Sequence, residues 1–105
     1  MTVYAFVPDL MDRSRITTAL DGVTFTDDPE ACSGAHVVIV DLARCRGCVR
    51  DVRAVAPSAR IVGFLPHLDH ELAADAKAVG VDVVLARSRF FRDVAAALAA
   101  PDTAT

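Results

Sequence analysis

The chain has no tryptophan, one tyrosine, three cysteines and a single lysine, Lys77, among eleven basic side chains. Three cysteines is an odd number and too few to staple a small secreted scaffold, so a reducing compartment is expected. No apolar run approaches the roughly 20 residues of a membrane span. The first residues lack the basic leader and apolar stretch of a secretory signal, which makes the cytoplasm the expected location. Positive charge is not in excess either. A net charge of -3 and a pI near 5.4 argue against non-specific binding to nucleic acid or anionic membrane. Three sequence patterns are also missing: Gly-x-x-x-x-Gly-Lys-Ser/Thr, Gly-x-Gly-x-x-Gly and Gly-x-Ser-x-Gly. Their absence leaves no common nucleotide cradle and no hydrolase elbow.

What is present describes one folded domain. Hydrophobic residues make up 53% of the 105 and charged residues 24%, which excludes a disordered chain. That length corresponds to one domain, placed at 1–100, with 101–105 as a frayed tail. Ten arginines against one lysine, with abundant Ala and Val, suggest the coding bias of a GC-rich bacterial genome.

Five short apolar runs predict strands at Thr2–Val7, Val23–Thr26, His36–Val40, Arg60–Leu65 and Asp82–Ala86. They are continuous rather than alternating, as expected for strands buried on both faces of a parallel sheet. Helical periods lie between them. Asp9 is a cap for a helix whose inner face is Ile16, Ala19 and Leu20. Val49, Val52, Val55 and Ala56 share one face of another, and Leu72, Ala73, Ala76 and Val79 share one face of a third that runs from Asp69 to Gly80. A last helix carries Phe91, Val94, Ala95 and Leu98, with Ser88 as its expected cap. Asp28–Ser33 is either a short helix or a loop. Strands alternating with helices imply a three-layer α/β sandwich.

In such sheets functional groups collect at the C-terminal ends of the strands. Those ends carry Pro8-Asp9, Asp41, Leu65-Pro66-His67 and Arg87-Ser88. With an acid after strands one and three and a cation after strand five, the chain resembles the receiver domain of two-component response regulators along nearly its whole length. The resemblance implies a flavodoxin-like sheet of order 2-1-3-4-5, with Asp41 as the phosphoacceptor equivalent. It places Asp9 as the second member of the Mg²⁺-holding acidic pair and Arg87 in the position of the phosphoryl-contacting lysine. Gly80, seven residues before Arg87, matches a glycine that receivers commonly have there. The departures are specific. Pro8 replaces the first acid, Leu65 stands where receivers carry Thr or Ser, and Ser88 replaces a proline. Asp12 could substitute for the missing carboxylate. The plainer reading of Asp41 is a strand-end acid that caps the turn or pairs with Arg87.

A second group is Cys45-Arg46-Gly47-Cys48 and His67-Leu68-Asp69-His70. If their loops share an edge, two thiolates and two imidazoles form a tetrahedral Zn²⁺ set. The same cysteines could act as a redox pair, their thiolates favoured by Arg44, Arg46 and Arg50. The plainer reading is two small turn residues and two solvated histidines.

The first functional expectation is a stand-alone, degenerate receiver-like regulator that works by binding a protein, without ordinary phosphorylation, catalysis or a cofactor. Phe90, Phe91 and Arg89 are its partner-binding candidates, one phenylalanine inward and one exposed, and the partner could be a second copy. The alternatives are a metal- or redox-responsive sensor at Cys45, Cys48, His67 and His70, a phosphorylatable single-domain response regulator using Mg²⁺, and a small enzyme or binding domain at Asp9, Asp41 and Arg87. Clustered arginines (Arg44, Arg46, Arg50, Arg53, Arg87, Arg89, Arg92) could hold an anion, although interspersed Asp51 and Asp93 favour a solvated face.

Overall fold

The structure, a computed structural model, describes residues 1–102. Five parallel strands, β1 (Val3–Phe6), β2 (Val23–Phe25), β3 (Val37–Asp41), β4 (Arg60–Leu65) and β5 (Val83–Ala86), form one sheet in the order β2-β1-β3-β4-β5. Each apolar run became a strand within a residue or two of its expected ends. β3 is buried at all five positions, as its unbroken Val-Val-Ile-Val run requires.

The helices are α1 (Leu10–Ala19), α2 (Leu42–Cys45), α3 (Val49–Val55), α4 (His70–Ala78), α5 (Arg87–Arg92) and α6 (Val94–Leu98). Alternate residues of each strand divide the core in two. Phe6, Val38, Val40, Ile61, Leu65 and Val84 pack beneath α2, α3 and α4. Val3, Ala5, Val7, Ile39, Val62, Phe64 and Leu85 pack beneath α1, α5 and α6. Segment 28–33 holds a single 3-10 turn, Pro29–Cys32, which Asp28 caps by accepting from Glu30 N at 3.0 Å.

Two helices differ from expectation. The last one is broken: Asp93 takes an extended conformation and caps α6 through Ala96 N, while α5 begins at Arg87, so Ser88 is not the cap. α1 buries Ile16 and Asp12 and leaves Ala19 exposed, so its inner face turns toward the strand ends. Tail residues Pro101 and Asp102 are exposed, and Asp102 pairs with Arg60 at 2.7 Å. The rest of the expected tail, 103–105, lies outside the described residues.

Arg53 locks the opposite end of the sheet. Its guanidinium donates to the carbonyls of Ala59 (2.6 Å) and Gly80 (2.6 Å) and to Asp82 Oδ2 (2.9 Å). The same Asp82 oxygen accepts from Ile61 N at 2.9 Å. Gly80 has φ +123, and a Cβ there would meet Arg53 side-chain atoms at 3.2–3.4 Å. The glycine expected from the receiver pattern is thus required locally by its own backbone and by this arginine.

Candidate functional site at the carboxyl ends of the strands

Asp9, Asp12, Asp41, Ala43, Arg44, Phe64, Pro66 and Arg87 line a cavity of about 270 Å³ at the carboxyl ends of β1, β3, β4 and β5. The sequence-predicted acids and cation therefore converge. Their pairing is not the one a strand-end count suggests. Arg87 grips Asp12 with both arms of its guanidinium, NH1 to Oδ2 at 2.7 Å and NH2 to Oδ1. Asp12 is buried, its side chain 2% exposed, whereas that of Arg87 is 37% exposed. The bidentate fork explains why arginine rather than lysine suits this partner. The hydrogen bond from Arg87 holds the Asp12 carboxyl below its ordinary range against the opposing effect of burial. The same bond raises the already high pKa of Arg87.

Asp9 and Asp41 are both used locally. Asp9 Oδ2 caps α1 by accepting from Asp12 N at 2.9 Å. Asp41 Oδ1 caps α2 by accepting from Ala43 N at 3.2 Å. The other oxygen of Asp41 is 4.0 Å from Arg44 Nε, whose side chain is 59% exposed, which makes a weak ion pair. Burial pushes the Asp41 carboxyl up, opposed by the amide of Ala43 and the charge of Arg44. The capping reading of Asp41 is therefore correct, and its pairing with Arg87 is not.

Leu65 does not face this cavity. Residue alternation along β4 points it into the core beneath α2–α4, and Phe64 and Pro66 line the cavity instead. Phe64 is the register partner of Asp41. No hydroxyl stands among the lining residues. Phe64 also anchors an aromatic cluster, with Phe90 at 4.9 Å and Phe91 at 5.2 Å between centroids. Arg87 lies 4.8 Å from the Phe91 centroid, and Arg15 approaches the same ring at 5.5 Å. Phe90 is fully buried and drops out of the partner-binding set; Phe91 is half-buried beneath these arginines, and Arg89 is exposed.

A Mg²⁺ ion needs free, convergent carboxylate oxygens. Here both oxygens of Asp12 are held by a guanidinium, and Asp9 and Asp41 each give one oxygen to a backbone amide. Among the described residues no three His, Cys, Asp or Glu side chains are grouped to hold a metal. No buried side-chain nitrogen or oxygen there lacks a partner. The Zn²⁺ set fails for a topological reason. Helix α2 starts immediately after Asp41 and, with the 3-10 turn Arg46–Cys48 that follows it, places Cys45 and Cys48 toward β1 and β2, beside Phe6, Val7 and Thr26. His70 instead borders a groove with Leu68, Val84 and Arg89 on the β5 side, and His67 is exposed. Burial pushes the Cys48 thiol up to about 12, and Cys45 is also raised by burial, contrary to a thiolate-favouring redox site.

Residue Leu42 was not singled out by its sequence. It packs against Gly63 so closely that a Cβ at 63 would lie 2.5 Å from Leu42 Cδ1. The contact seats α2, and with it Asp41, on β4. The sequence signal was a lone glycine inside an apolar strand, which marks close approach of another group.

Comparison with solved structures identifies the fold. The chain superposes on a response regulator from Thermotoga maritima with a TM-score of 0.72 and 15% identity, covering 94% of this chain and 98% of that one. A CheY-like protein (tadZ) from Pseudomonas aeruginosa PAO1 gives 0.70 at 14% identity, over 84% of this chain and 87% of that one. A response regulator in red light signaling of R. palustris gives 0.69 at 15% identity, over 99% of both chains. No protein-family model matches the sequence, and neither does any curated protein. The chain is a receiver-like, flavodoxin-type α/β domain; at these identities the likeness establishes fold.

Proposed function

We propose that this domain is a receiver-like regulatory module that acts by binding a protein and does not use ordinary aspartate phosphorylation. The observation that carries the reading is the Asp12–Arg87 pair, in which a guanidinium is fixed on the buried carboxylate of the acidic crevice. Phosphoryl transfer depends on positioned positive charge around the transferred group. In this cavity Arg87 is committed to Asp12, and Asp9 and Asp41 each spend one oxygen on a helix cap, which weakens the carboxylate set that would hold Mg²⁺. Asp41 is buried and held as a cap, and a carboxyl pushed toward its neutral form is a poorer nucleophile. The absence of a hydroxyl facing the cavity from the end of β4 removes the group expected to report a phosphoryl arrival.

A partner face is supported on the β5 side. A groove of about 460 Å³ runs between α4 and β5, with apolar Leu68, Val84 and Leu85 flanked by Lys77 and Arg89. Leu68 is 49% exposed. The partner is a protein or a second copy of the chain. No helix of the described residues is long and apolar enough to cross a membrane, and three free cysteines suit a reducing cytoplasm. Incubation with acetyl phosphate and Mg²⁺ tests the inert-pocket reading by intact mass. The expected spectrum is the unmodified chain. An efficient phosphoryl adduct that disappears in Asp41→Asn would establish a phosphorylatable response regulator instead.

A further inference from the structure

We infer that a second, cationic cleft between α1 and α5 binds a phosphate-bearing small ligand. The cleft has a volume of about 470 Å³ and is lined by Arg15, Pro66, Arg87, Ser88, Phe91 and Arg92. It opens past Arg15, Phe91 and Arg92 into a second hollow beside Ser14 and Thr18. Half of the first group are arginines. Asp12 pairs directly with Arg87 and is felt by Arg15 only through space, so three guanidinium groups share one buried carboxylate. Neither the Arg15 nor the Arg92 guanidinium forms a hydrogen bond or an ion pair with any described residue. Asp93, which lines the second hollow, is occupied in capping Ala96 N at 3.1 Å.

The arginines are held as well as gathered. The Phe91 ring has Arg87 4.8 Å and Arg15 5.5 Å from its centroid, so one aromatic side chain orients two guanidinium groups. Keeping like charges together costs free energy, which an oxyanion between them would recover. Guanidinium forks match the paired oxygens of a phosphoryl group, and such charge-assisted bonds are the strong ones. Ser88, exposed and without a hydrogen-bond partner among the described residues, adds a hydroxyl donor. The volume exceeds that of a bare phosphoryl group and leaves room for its carrier. The Phe91 ring already serves two arginines, so recognition centres on the phosphoryl oxygens. The cleft does not depend on Asp41 being inert.

Amide and arginine Nε resonances of the full chain, titrated with inorganic phosphate at constant ionic strength, test the site, with chloride as the control and phosphoserine and AMP as further arms. The expected result is saturable shifts at Arg15, Ser88, Phe91 and Arg92 with phosphate and not with chloride. Arg92→Gln and Arg15→Gln, both at exposed positions, should each weaken phosphate binding about tenfold and leave the melting temperature unchanged. A tighter response to AMP or to phosphoserine would support the site and identify the carrier. Equal responses to phosphate and chloride, or unchanged affinity in both variants, would overturn it.

Discussion

Replacing Arg87 with methionine tests the energetic core of this account. Methionine keeps an apolar stem over Phe64 and Phe91 but removes both hydrogen bonds to Asp12, whose side chain is only 2% exposed. Taking one partner from a buried ion pair costs about 3–5 kcal/mol, because the other charge stays behind unpaired. Arg87 is 37% exposed, so water can reach Asp12 through the vacated space and the loss should lie near the bottom of that range. A loss of about 3 kcal/mol lowers the melting temperature of a domain this size by roughly 12 °C. The pH dependence supplies a second check. In the parent, Arg87 holds the Asp12 carboxyl down, so the pair's contribution is complete above the ordinary carboxylate range and disappears as pH falls through the lowered folded value. In Arg87→Met, burial becomes the leading influence and pushes the same carboxyl up. The variant is then relatively favoured in acid, where Asp12 is protonated in both states. Urea unfolding at neutral pH and near pH 3 should therefore show a gap that narrows in acid. Asp12→Asn combined with Arg87→Met should recover much of the neutral-pH loss. A loss below about 0.5 kcal/mol at neutral pH, the range of an ordinary surface substitution, would refute the reasoning, as would a gap that does not change with pH.

Three further outcomes follow from neighbouring contacts. Asp41→Asn should raise stability at neutral pH by about 1 kcal/mol, since Asn caps as well as Asp and carries no buried charge. The raised Asp41 carboxyl favours the protonated fold, so this gain should vanish below the ordinary carboxylate range in the same unfolding series. Gly63→Ala should cost about 1–3 kcal/mol by overpacking, because its Cβ would fall 2.5 Å from Leu42 Cδ1 and Leu42 is itself buried; thermal denaturation measures this. Cys48 and Cys45, with thiols pushed up by burial, should alkylate with iodoacetamide more slowly at neutral pH than an unstructured thiol, and mass spectrometry of timed aliquots reads the rate.

The central strands were legible because each is an apolar run buried on both faces, β3 most clearly, whereas the edge strand β2 buries no residue fully and is the weakest run. Convergence of Asp9, Asp41 and Arg87 followed from strand order alone, since parallel strands collect their ends on one edge. Which groups pair there was not legible. Asp12 reaches Arg87 because α1 turns that residue inward, and a helix's rotation about its axis is fixed by packing rather than by its own weak periodicity. Leu65 was assigned to the cavity from its place in the chain, but the pleat of β4 decides its direction and sends it to the other face. The Cys/His group failed at a helix boundary. Asp41 followed by Leu-Ala-Arg is a legible cap and start, and a helix beginning there separates the cysteines from the histidines. The break at Asp93 had a comparable signal, a good capping residue inside an otherwise helical run. Arg53 was read as one of many surface charges. Its role depends on carbonyls that only the folded chain brings within its reach.

Arginine at position 87 has a structural consequence beyond its charge. A lysine presents a single ammonium, whereas the fork of Arg87 closes on both oxygens of Asp12 and lies against two aromatic rings. Arg87 thereby forms a fixed wall of the crevice at the strand ends.

We propose that this crevice, with Arg87 fixed on Asp12, does not accept a divalent cation. Side-chain carboxyl carbon resonances of Asp9, Asp12 and Asp41, followed through a Mg²⁺ titration of the full chain at constant ionic strength, test it most directly. The account predicts that none of the three shifts saturably and that the Asp12 resonance stays that of an arginine-paired carboxylate. A saturable shift shared by Asp9 and Asp41 would contradict it and return the domain to the phosphorylatable class.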